Sequence, residues 1–292
     1  HFPFPLTIRE RTRDRMKEAP QRTGEGKGRR GETTWRCTVC GFLFKGEHPP
    51  KGCPRCGSPS PEFMPDEKRG WLTYDGSLFD VLLINGSTHR AHNTSYMVDL
   101  AERELESRGV SYRRFNLSEY SIDHCWCCYS IKAEYCTYPC RNSQDDMPAF
   151  HQMLASAKAV IVASPINWNN MSARLKDFLD RTTCMQNLFH LDKPGLTEGK
   201  VVGILISGHE DGAVKTALDI SLIFEQMGYI LAPFGIAFRT HGSAYNSSTD
   251  AEFLRNDQKI RDDVRGVVSN VVELMQLDLE SRLKGRLVPV SE

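Results

Sequence analysis

Phe79-Asp-Val-Leu-Leu-Ile84 is an apolar run of strand length, and Asn85-Gly86 bounds it. The chain then enters Thr94–Arg108, whose apolar residues recur at helical spacing: Met97, Leu100, Ala101 and Leu105. Asn93 or Thr94 can cap that helix with its side chain. The stretch therefore predicts a strand followed by an amphipathic helix, which is the repeating unit of parallel-sheet folds.

The same alternation continues downstream. Further strands are predicted at Ser111–Leu117, Ala159–Ala163, Val201–Ser207 and Tyr229–Pro233. Helices are predicted after Ser172, across Val214, Leu218, Leu222 and Met227, and along Ile260, Val264, Val267, Val271 and Leu274. Strands that alternate with helices predict an α/β fold with a doubly wound, five-stranded parallel sheet in the order 2-1-3-4-5. In that order ligands bind at the carboxyl ends of strands one and three.

The composition argues against several kinds of partner. Lys plus Arg and Asp plus Glu both total 37 in 292 residues, so neither nucleic acid nor an anionic membrane is expected. Apolar runs such as Val201–Ile206 are of strand length, so no membrane span is expected. The chain opens on His1 without an export signal, and its first methionine is Met16, which favours a fragment or a start site assigned too far upstream. We expect a cytoplasmic protein.

The composition also divides the chain into segments. Residues 1–34 are interpreted as a flexible basic tail, since residues 1–36 hold ten Lys or Arg against five Asp or Glu. Residues 35–63 form a small cysteine-containing domain, and residues 64–78 form a linker. Residues 79–280 form the α/β domain, and residues 281–292 form a C-terminal tail.

Nine of the ten cysteines fall in two tight groups, which predicts metal ligands in a reducing compartment. The first group is Cys37-Thr-Val-Cys40 and Cys53-Pro-Arg-Cys56, each followed by glycine. Each turn directs two sulfurs to one point, and the pair closes a tetrahedral four-thiolate site. Spacing alone leaves iron and zinc open, and a zinc ribbon that only holds the fold is the alternative.

The residues around these turns extend the pattern. They are Trp35-Arg-Cys-Thr-Val-Cys-Gly-Phe42, Gly46, Pro49 or Pro50, Cys53-Pro-Arg-Cys-Gly57 and Phe63. Over residues 35–63 the chain resembles the rubredoxin domain found at the end of rubrerythrins. The resemblance implies a one-electron carrier, with iron held by Cys37, Cys40, Cys53 and Cys56.

A polar loop joins the first predicted strand of the α/β domain to its helix. Gly86-Ser-Thr-His-Arg-Ala-His-Asn-Thr94 is rich in hydroxyl and amide groups at a helix N-terminus. Free N–H groups and the helix dipole favour a phosphate monoester there. The loop lacks the spacing of G-x-G-x-x-G and of a P-loop, and a plain strand-to-helix connection is the alternative.

The segment after the third predicted strand carries a stronger signal: Ser164-Pro-Ile-Asn-Trp-Asn-Asn-Met-Ser-Ala-Arg-Leu-Lys-Asp-Phe-Leu-Asp-Arg181. It closely resembles the S-P-x-Y-W-x-x-x-S-A-x-L-K-x-F-x-D-R signature of the NADPH-dependent FMN reductase family. These are flavodoxin-like proteins that include the iron–sulfur flavoproteins. The likeness covers about residues 79–275 and implies a flavodoxin-like fold, bound FMN and NAD(P)H as substrate. It also implies a homodimer or homotetramer.

The resemblance assigns residues to FMN by position. Ser87, His89, Asn93 and Thr94 would hold the phosphate, with His89 in place of the family's usual arginine and Arg90 able to supply the charge. Ser164, Pro165, Ile166, Asn167, Trp168 and Asn169 would line the isoalloxazine edge, and Ser207, Gly208, His209 and Gly212 would form a third loop. No catalytic acid or base is assigned, because the flavin carries the chemistry. His209 and His241 are the candidates if a proton must be delivered.

The second cysteine group lies between the second and third predicted strands: Cys125, Cys127, Cys128, Cys136 and Cys140. The family's iron–sulfur members have a compact cysteine group here, so the resemblance implies a [4Fe–4S] cluster on Cys125, Cys128, Cys136 and Cys140. Ile131 stands where an evenly spaced third cysteine is expected. Buried or redox-sensitive thiols without a cluster are therefore the alternative. Cys184 stands apart from both groups.

These features predict an electron-transfer flavoprotein oxidoreductase. FMN would connect NAD(P)H, or another donor, to the rubredoxin-type iron and to an electron acceptor or donor protein. One alternative is an NAD(P)H:quinone, flavin or metal reductase in which the cysteine domain is a structural zinc ribbon. Another is a redox-sensing binding protein with no enzymatic activity.

Overall fold

The computed structural model describes residues 33–39, 42–66, 71–90, 92–209, 212–240 and 254–288. Residues 1–32 of the predicted basic tail, the predicted metal ligand Cys40 and the candidate proton donor His241 lie outside the described residues, whereas the last two tail residues, Thr33 and Thr34, belong to a strand.

A small antiparallel sheet forms the first structural unit. Its strands are β1 (Thr33–Cys37), β2 (Leu43–Gly46) and β3 (Phe63–Pro65), in the order β2-β1-β3. A single 3-10 turn, Ser60–Glu62, leads into β3. The core of this unit is small: Cys37, Cys53 and Phe63 are buried, and Trp35, Val39, Phe42 and Phe44 pack against them. A metal centre is the usual way to stabilise a core of this size.

A five-stranded parallel sheet forms the second unit, and it has the predicted order. Its strands are β4 (Val81–Asn85), β5 (Tyr112–Asn116), β6 (Ala159–Pro165), β7 (Val201–Gly208) and β8 (Ile230–Thr240). They are arranged β5-β4-β6-β7-β8, which is the order 2-1-3-4-5. The central strands are buried on both faces, as continuous runs of valine, leucine and isoleucine require.

Helices cover both faces of this sheet. They are α1 (Asn93–Ser107), α2 (Met147–Ser156), α3 (Ala173–Asp180), α4 (Thr183–His190), α5 (Ala213–Gln226), α6 (Gln258–Met275) and α7 (Leu279–Leu283). One hydrophobic core lies under α2, α3 and α5, and a second lies under α1 and α6. Of these helices, α2, α4 and α7 were not predicted. Among the described residues, no helix combines the length and the apolar character needed to cross a membrane.

Three details differ from the predictions. The N-cap of α1 is His92, not Asn93 or Thr94, and its side chain makes no capping hydrogen bond. Strand β8 extends to Thr240, well beyond the predicted end at Pro233. Helix α5 exists as predicted, but the stripe of Val214, Leu218 and Leu222 is exposed. The small residues Ala213 and Ala217 face the sheet instead, with Ile220 and Phe224, because they let the helix approach closely.

Candidate functional site

Three of the predicted metal ligands come together at the end of β1. The Sγ atoms of Cys37, Cys53 and Cys56 all lie within 4.8 Å of one another, and those of Cys37 and Cys56 are 3.8 Å apart. Metal–sulfur bonds of about 2.3 Å in a tetrahedron place the sulfurs about 3.8 Å apart. The three thiols therefore have the spacing of ligands to one ion. Their predicted partner Cys40 lies outside the described residues.

Local hydrogen bonds fix the second cysteine turn. The Gly57 N–H donates to the Cys53 carbonyl at 2.8 Å, and the Cys53 N–H donates to the Ser58 carbonyl at 2.7 Å. Gly57 has φ +76°, which a residue with a side chain rarely adopts, so the glycine is required here. The Ser58 hydroxyl lies 3.1 Å from Cys56 Sγ, where it can donate to a thiolate. Cys56 is the exposed ligand of the three.

Asn85, the last residue of β4, shapes the predicted phosphate loop. Its amide N–H donates to Ser95 Oγ at 3.0 Å, and its Oδ1 accepts the Ser87 N–H at 3.0 Å. Ser87 Oγ accepts the His89 N–H at 3.1 Å. The loop is thus folded by its own side chains, while the N-cap residue His92 contributes no side-chain cap. An uncapped helix N-terminus attracts an anion through its free N–H groups and its dipole.

A cavity of about 190 Å³ opens between this loop and the strand ends. The hydroxyl groups of Thr94 and Ser207, 2.7 Å apart, join α1 to β7 in its wall. Asn93 Oδ1 is buried and has no hydrogen-bond partner among the described residues, so a ligand hydroxyl could satisfy it. The lining residues are Ser87, His92, Asn93, Thr94, Pro165, Ile166, Asn167, Ser207, Gly208 and His209.

A wider depression of about 660 Å³ adjoins the cavity and shares Ile166 and Asn167 with it. Asn167 and Asn170 pair through both backbone N–H groups, at 2.7 and 3.0 Å. The turn between them holds Trp168 at φ +51° and Asn169 at φ +58°. Trp168 is 99% exposed and lines the depression. A rigid turn therefore presents an indole ring where it can cover a flat aromatic ligand.

Three further predicted residues position the loops. Ser164 is fully buried, and its Oγ accepts the backbone N–H of the N-cap residue of α3 at 3.0 Å, so it shapes the loop from within. A Cβ atom at Gly208 would lie 2.7 Å from the Ile166 side chain. Gly212 has φ +106°, and a Cβ atom there would lie 2.8 Å from Asn169 Oδ1. Only glycine lets these loops approach so closely.

The side chains of two residues that were predicted to bind the FMN phosphate contact carboxylates instead. His89 Nδ1 lies 3.6 Å from Glu62 Oε1, and Arg90 Nε lies 3.1 Å from Glu119 Oε1. Neither side chain lines the cavity, whereas His92, which was not assigned, does. The sequence signal for His92 is its place two residues before the predicted helix.

Glu62 connects the cysteine domain to the phosphate loop of the same chain. Its carboxylate is buried and accepts the Arg90 N–H at 3.1 and 3.0 Å and the Thr38 hydroxyl at 3.1 Å. Thr38 follows the metal ligand Cys37, and its Oγ1 also lies 3.4 Å from the Thr88 carbonyl. The first cysteine turn therefore contacts the loop beside the cavity. No sequence motif marks Glu62, because its role depends on how two domains pack.

The cavity and the adjoining depression fit FMN. The uncapped α1 suits a phosphate, and the unsatisfied Asn93 Oδ1 suits a ribityl hydroxyl. Ile166 and Trp168 offer apolar surface for the ring system. Among the described residues, no carboxylate lines the cavity, so nothing there would repel a phosphate.

The five cysteines of the second group form one cluster of thiols. Burial raises the pKa of Cys136 to about 11, and the other four thiols add to the shift: Cys128, Cys125, Cys140 and Cys127. Among the described residues, no three of them lie as close together as Cys37, Cys53 and Cys56 do. A single ion needs that short spacing, whereas a polynuclear iron–sulfur cluster separates its thiolates more widely.

A buried ion pair anchors the loop that carries these thiols. Arg181 pairs with Asp145, and both side chains are fully buried. Arg181 also donates to the Asp123 carbonyl at 3.1 Å. Asn187 in α4 donates to the Cys136 carbonyl at 2.8 Å. These bonds hold the cysteine loop against α3 and α4.

Cys184 stands apart from both cysteine groups in the sequence, but in the structure it lies beside Cys140. Donation from the Cys184 thiol, assisted by Arg181, holds the pKa of Cys140 below its ordinary value. The same contact, together with burial, raises the pKa of Cys184. Cys184 Sγ also lies 3.7 Å from His151 Nε2. The sequence gives no sign of this contact, because the two residues are 44 positions apart and only the packing of α4 brings them together.

Known proteins match both units of the chain. The family described as rubrerythrin, rubredoxin-like domain matches residues 35–64, and the NADPH-dependent FMN reductase family matches residues 79–241. An iron-sulfur flavoprotein of Archaeoglobus fulgidus is 33% identical over 99 residues, which are 34% of this chain and 43% of that protein. A second from the same organism is 25% identical over 196 residues, 66% of this chain and 95% of that protein. The chain thus spans less than half of the first relative.

A solved structure shares the fold. It is the crystal structure of RosB with bound 8-demethyl-8-formylriboflavin-5'-phosphate, with a TM-score of 0.54 and 19% identity over 68% of this chain and 79% of that one. The two family matches and the iron-sulfur flavoprotein relatives support a flavin and iron as cofactors and an electron-transfer flavoprotein of the oxidoreductase class. The chain belongs to the NADPH-dependent FMN reductase family, has a flavodoxin-like fold and carries a rubredoxin-like domain before it.

Proposed function

We propose that this chain transfers electrons between a nicotinamide nucleotide and a one-electron protein partner, through FMN and a rubredoxin-type iron ion. The contact of Glu62 with the Arg90 N–H carries the proposal, at 3.1 and 3.0 Å. It joins the cysteine domain to the loop beside the flavin cavity within one chain. Bound FMN would supply the conversion between hydride transfer and single-electron steps. For each NAD(P)H that is oxidised to NAD(P)⁺ and a proton, two one-electron acceptors are reduced.

The residues of the cavity would bind and orient the flavin. The N-terminus of α1, with Ser87, Asn93 and Thr94, would bind the phosphate. His89 would contact the phosphate through its other ring nitrogen, Nε2, because Nδ1 faces Glu62. Arg90, although paired with Glu119, would add positive charge nearby. Such positioning is the protein's main contribution in flavin chemistry.

The remaining predicted residues would enclose the ring. Trp168 would cover one edge and exclude water, while Asn169 and Gly212 hold that turn in place. Ser164 would fix the loop from beneath, and Ile166 would supply apolar contact. His209 lies exposed in the cavity wall, where it could deliver a proton. The other ring-facing residues would be Pro165, Asn167, Ser207 and Gly208.

Iron would be held by Cys37, Cys53 and Cys56 together with Cys40. The local chemistry supports a site that changes oxidation state, because the Ser58 hydroxyl can stabilise the more negative reduced centre. Exposure of Cys56 gives an electron partner a surface to approach. Zinc in this site, with flavin reduction intact, would favour the reductase with a structural zinc ribbon.

A [4Fe–4S] cluster on Cys125, Cys128, Cys136 and Cys140 is the second part of the proposal. Five cysteines within sixteen positions and the similarity to iron-sulfur flavoproteins support it. Acid-labile sulfide and iron are counted per chain in anaerobically purified protein. Sulfide should be present, and Cys136→Ser should remove it while FMN stays bound. Iron near one per chain without sulfide would contradict the cluster.

The test of the electron path is anaerobic mixing with NADH or NADPH while flavin and iron absorbance are followed separately. Wild-type protein should reduce both centres and then an external one-electron acceptor. Cys53→Ser should keep FMN and its reduction but lose the reduction of the acceptor. Lys51→Ala, an exposed change in the same domain, is the matched control. Unchanged acceptor reduction in Cys53→Ser would show that the path does not pass through the iron.

Two separate measurements would identify the nucleotide that donates electrons and the number of chains in the assembly. If the flavin stays oxidised with both NADH and NADPH, neither nucleotide is the electron donor. Electron transfer through the iron would then be tested with another reductant. A homodimer or homotetramer is expected, and sedimentation of the FMN-loaded protein would measure it.

A further inference from the structure

Three side chains of metal-binding type converge where the two domains meet. Glu62 ends the 3-10 turn of the cysteine domain, His89 lies in the phosphate loop and His92 is the residue directly before α1. Glu62 Oε1 lies 3.6 Å from His89 Nδ1 and 3.8 Å from His92 Nε2, and one ligand atom from each residue falls within 4.8 Å of the others. Ligands bound at about 2.0–2.1 Å in a tetrahedron stand roughly 3.4 Å apart. The two separations from Glu62 therefore exceed the spacing of ligands on one ion by only a few tenths of an ångström.

We propose that Glu62, His89 and His92 bind one divalent transition-metal ion that clamps the cysteine domain to the phosphate loop. Two imidazoles and a carboxylate, without a thiolate, suit Zn²⁺ and neighbouring first-row ions. This site is distinct from the four-thiolate site, from which Glu62 is separated by Thr38. It does not depend on the electron path proposed above.

The existing contacts leave the ligand atoms incompletely satisfied. His89 Nδ1 is buried and makes no hydrogen bond within the described part of the chain. The rings of His89 and His92 meet edge to face with centroids 4.6 Å apart, so both present polar edges near one carboxylate oxygen. A proton can be shared by only two of the three groups, whereas a metal ion accepts a lone pair from each.

The carboxylate is also held in position, as metal-binding carboxylates are. The Thr38 hydroxyl donates to Glu62 Oε2 at 3.1 Å, and the Arg90 N–H reaches both oxygens. The side chains of His89 and His92 are 42% and 30% exposed, so an ion has an entry path and a water can complete its coordination.

The test uses full-length protein loaded with FMN and iron, dialysed against micromolar Zn²⁺ and analysed for each metal. Wild-type protein should gain one Zn²⁺ per chain while its iron content stays unchanged. His92→Gln should lose that zinc, and Thr38→Val should bind it roughly 10-fold more weakly. The exposed histidine changes His48→Gln and His190→Gln are the matched controls and should leave binding unchanged.

X-ray absorption at the zinc edge supplies a second measurement that does not depend on stoichiometry. The bound zinc should show nitrogen and oxygen neighbours at about 2.0 Å and no sulfur at about 2.3 Å. Sulfur neighbours would mean that zinc has entered a thiolate site and would overturn the proposal. Equal zinc binding by wild-type and His92→Gln protein, or no binding by either at normal FMN content, would overturn it as well.

Discussion

The hydroxyl groups of Thr94 and Ser207 lie 2.7 Å apart, although 113 positions separate them in the sequence. Thr94 belongs to the first turn of α1, and Ser207 stands near the end of β7. Both are almost fully buried, so each is the other's main polar neighbour in the cavity wall. The loop proposed to bind the phosphate and the third loop are thus linked before any ligand arrives.

We expect Thr94→Val to weaken FMN binding. The change leaves the Ser207 hydroxyl without its partner and removes a donor from the phosphate site, and the loss of a buried hydrogen bond costs about 1–3 kcal/mol. The dissociation constant, measured by quenching of flavin fluorescence on titration of FMN-free protein, should rise about 10-fold or more. Ser221→Ala, in α5 and outside the cavity, should leave it unchanged. Unaltered affinity in Thr94→Val would contradict this role.

Ser58→Ala should lower the reduction potential of the proposed four-thiolate iron centre. The serine hydroxyl, 3.1 Å from Cys56 Sγ, favours the more negative reduced state, and its loss favours the oxidised state. We expect a shift on the order of tens of millivolts by spectroelectrochemical titration, at unchanged iron content. Ser60→Ala is the neighbouring control. A potential equal to that of the wild-type protein would show that the hydroxyl does not bond the thiolate.

Breaking the buried pair of Arg181 and Asp145 should strongly destabilise the fold. Asp145→Ala leaves an unpaired guanidinium in the core, which costs about 3–5 kcal/mol in the free energy of unfolding. Urea denaturation would measure it. The exposed pair of Lys176 and Asp180 provides the control, because Asp180→Ala should cost no more than about 1 kcal/mol. Similar costs at both positions would show that Arg181 does not anchor the cysteine loop.

The stability should fall in acid partly through His151. Burial lowers its pKa to about 4, whereas an unfolded histidine titrates near 6.5. The unfolded chain therefore binds more protons between these values, and the stabilisation is complete above about pH 6.5 and is lost as the pH falls towards 4. The full effect is about 3 kcal/mol.

Chemical denaturation at pH 7 and pH 5 would measure this contribution. His151→Gln keeps an N–H donor for the Arg181 carbonyl, which His151 Nε2 contacts at 2.8 Å, and should have a smaller pH dependence than the wild-type protein. The exposed His190→Gln should retain the wild-type dependence. Identical pH dependence in all three proteins would rule out a role for His151.

The sequence predicted the sheet because hydrophobic periodicity and turn residues act locally. Each strand of the α/β domain was found, with every end except that of β8 within a few residues, and alternation with helices led to the observed order. The end of β8 was missed because Phe234 has φ +53° and Pro233 precedes it, which suggested a stop although the strand resumes beyond them. The exposed stripe of α5 shows a second limit, since periodicity finds a helix without showing which face is buried.

Candidate site residues that belong to contiguous motifs could be predicted from the sequence. Residues whose neighbours depend on tertiary contacts could not. The cysteine turns and the residues around the cavity were identified by their spacing and resemblance. Glu62, His92 and Cys184 carry no motif, and their neighbours come from distant parts of the chain. His89 shows the intermediate case, because it lies in the expected loop but faces Glu62.

Trp168 shows what this arrangement costs the ligand-free protein. A bulky side chain at φ +51° strains the backbone by roughly 1 kcal/mol or more, and 99% exposure leaves the whole indole in water. An Asn-Gly pair would suit the two left-handed positions of this turn better than Trp168-Asn169 does. At this turn, the residues that favour ligand binding therefore lower the stability of the fold. Selection of the chain for thermal resistance alone would tend to replace Trp168.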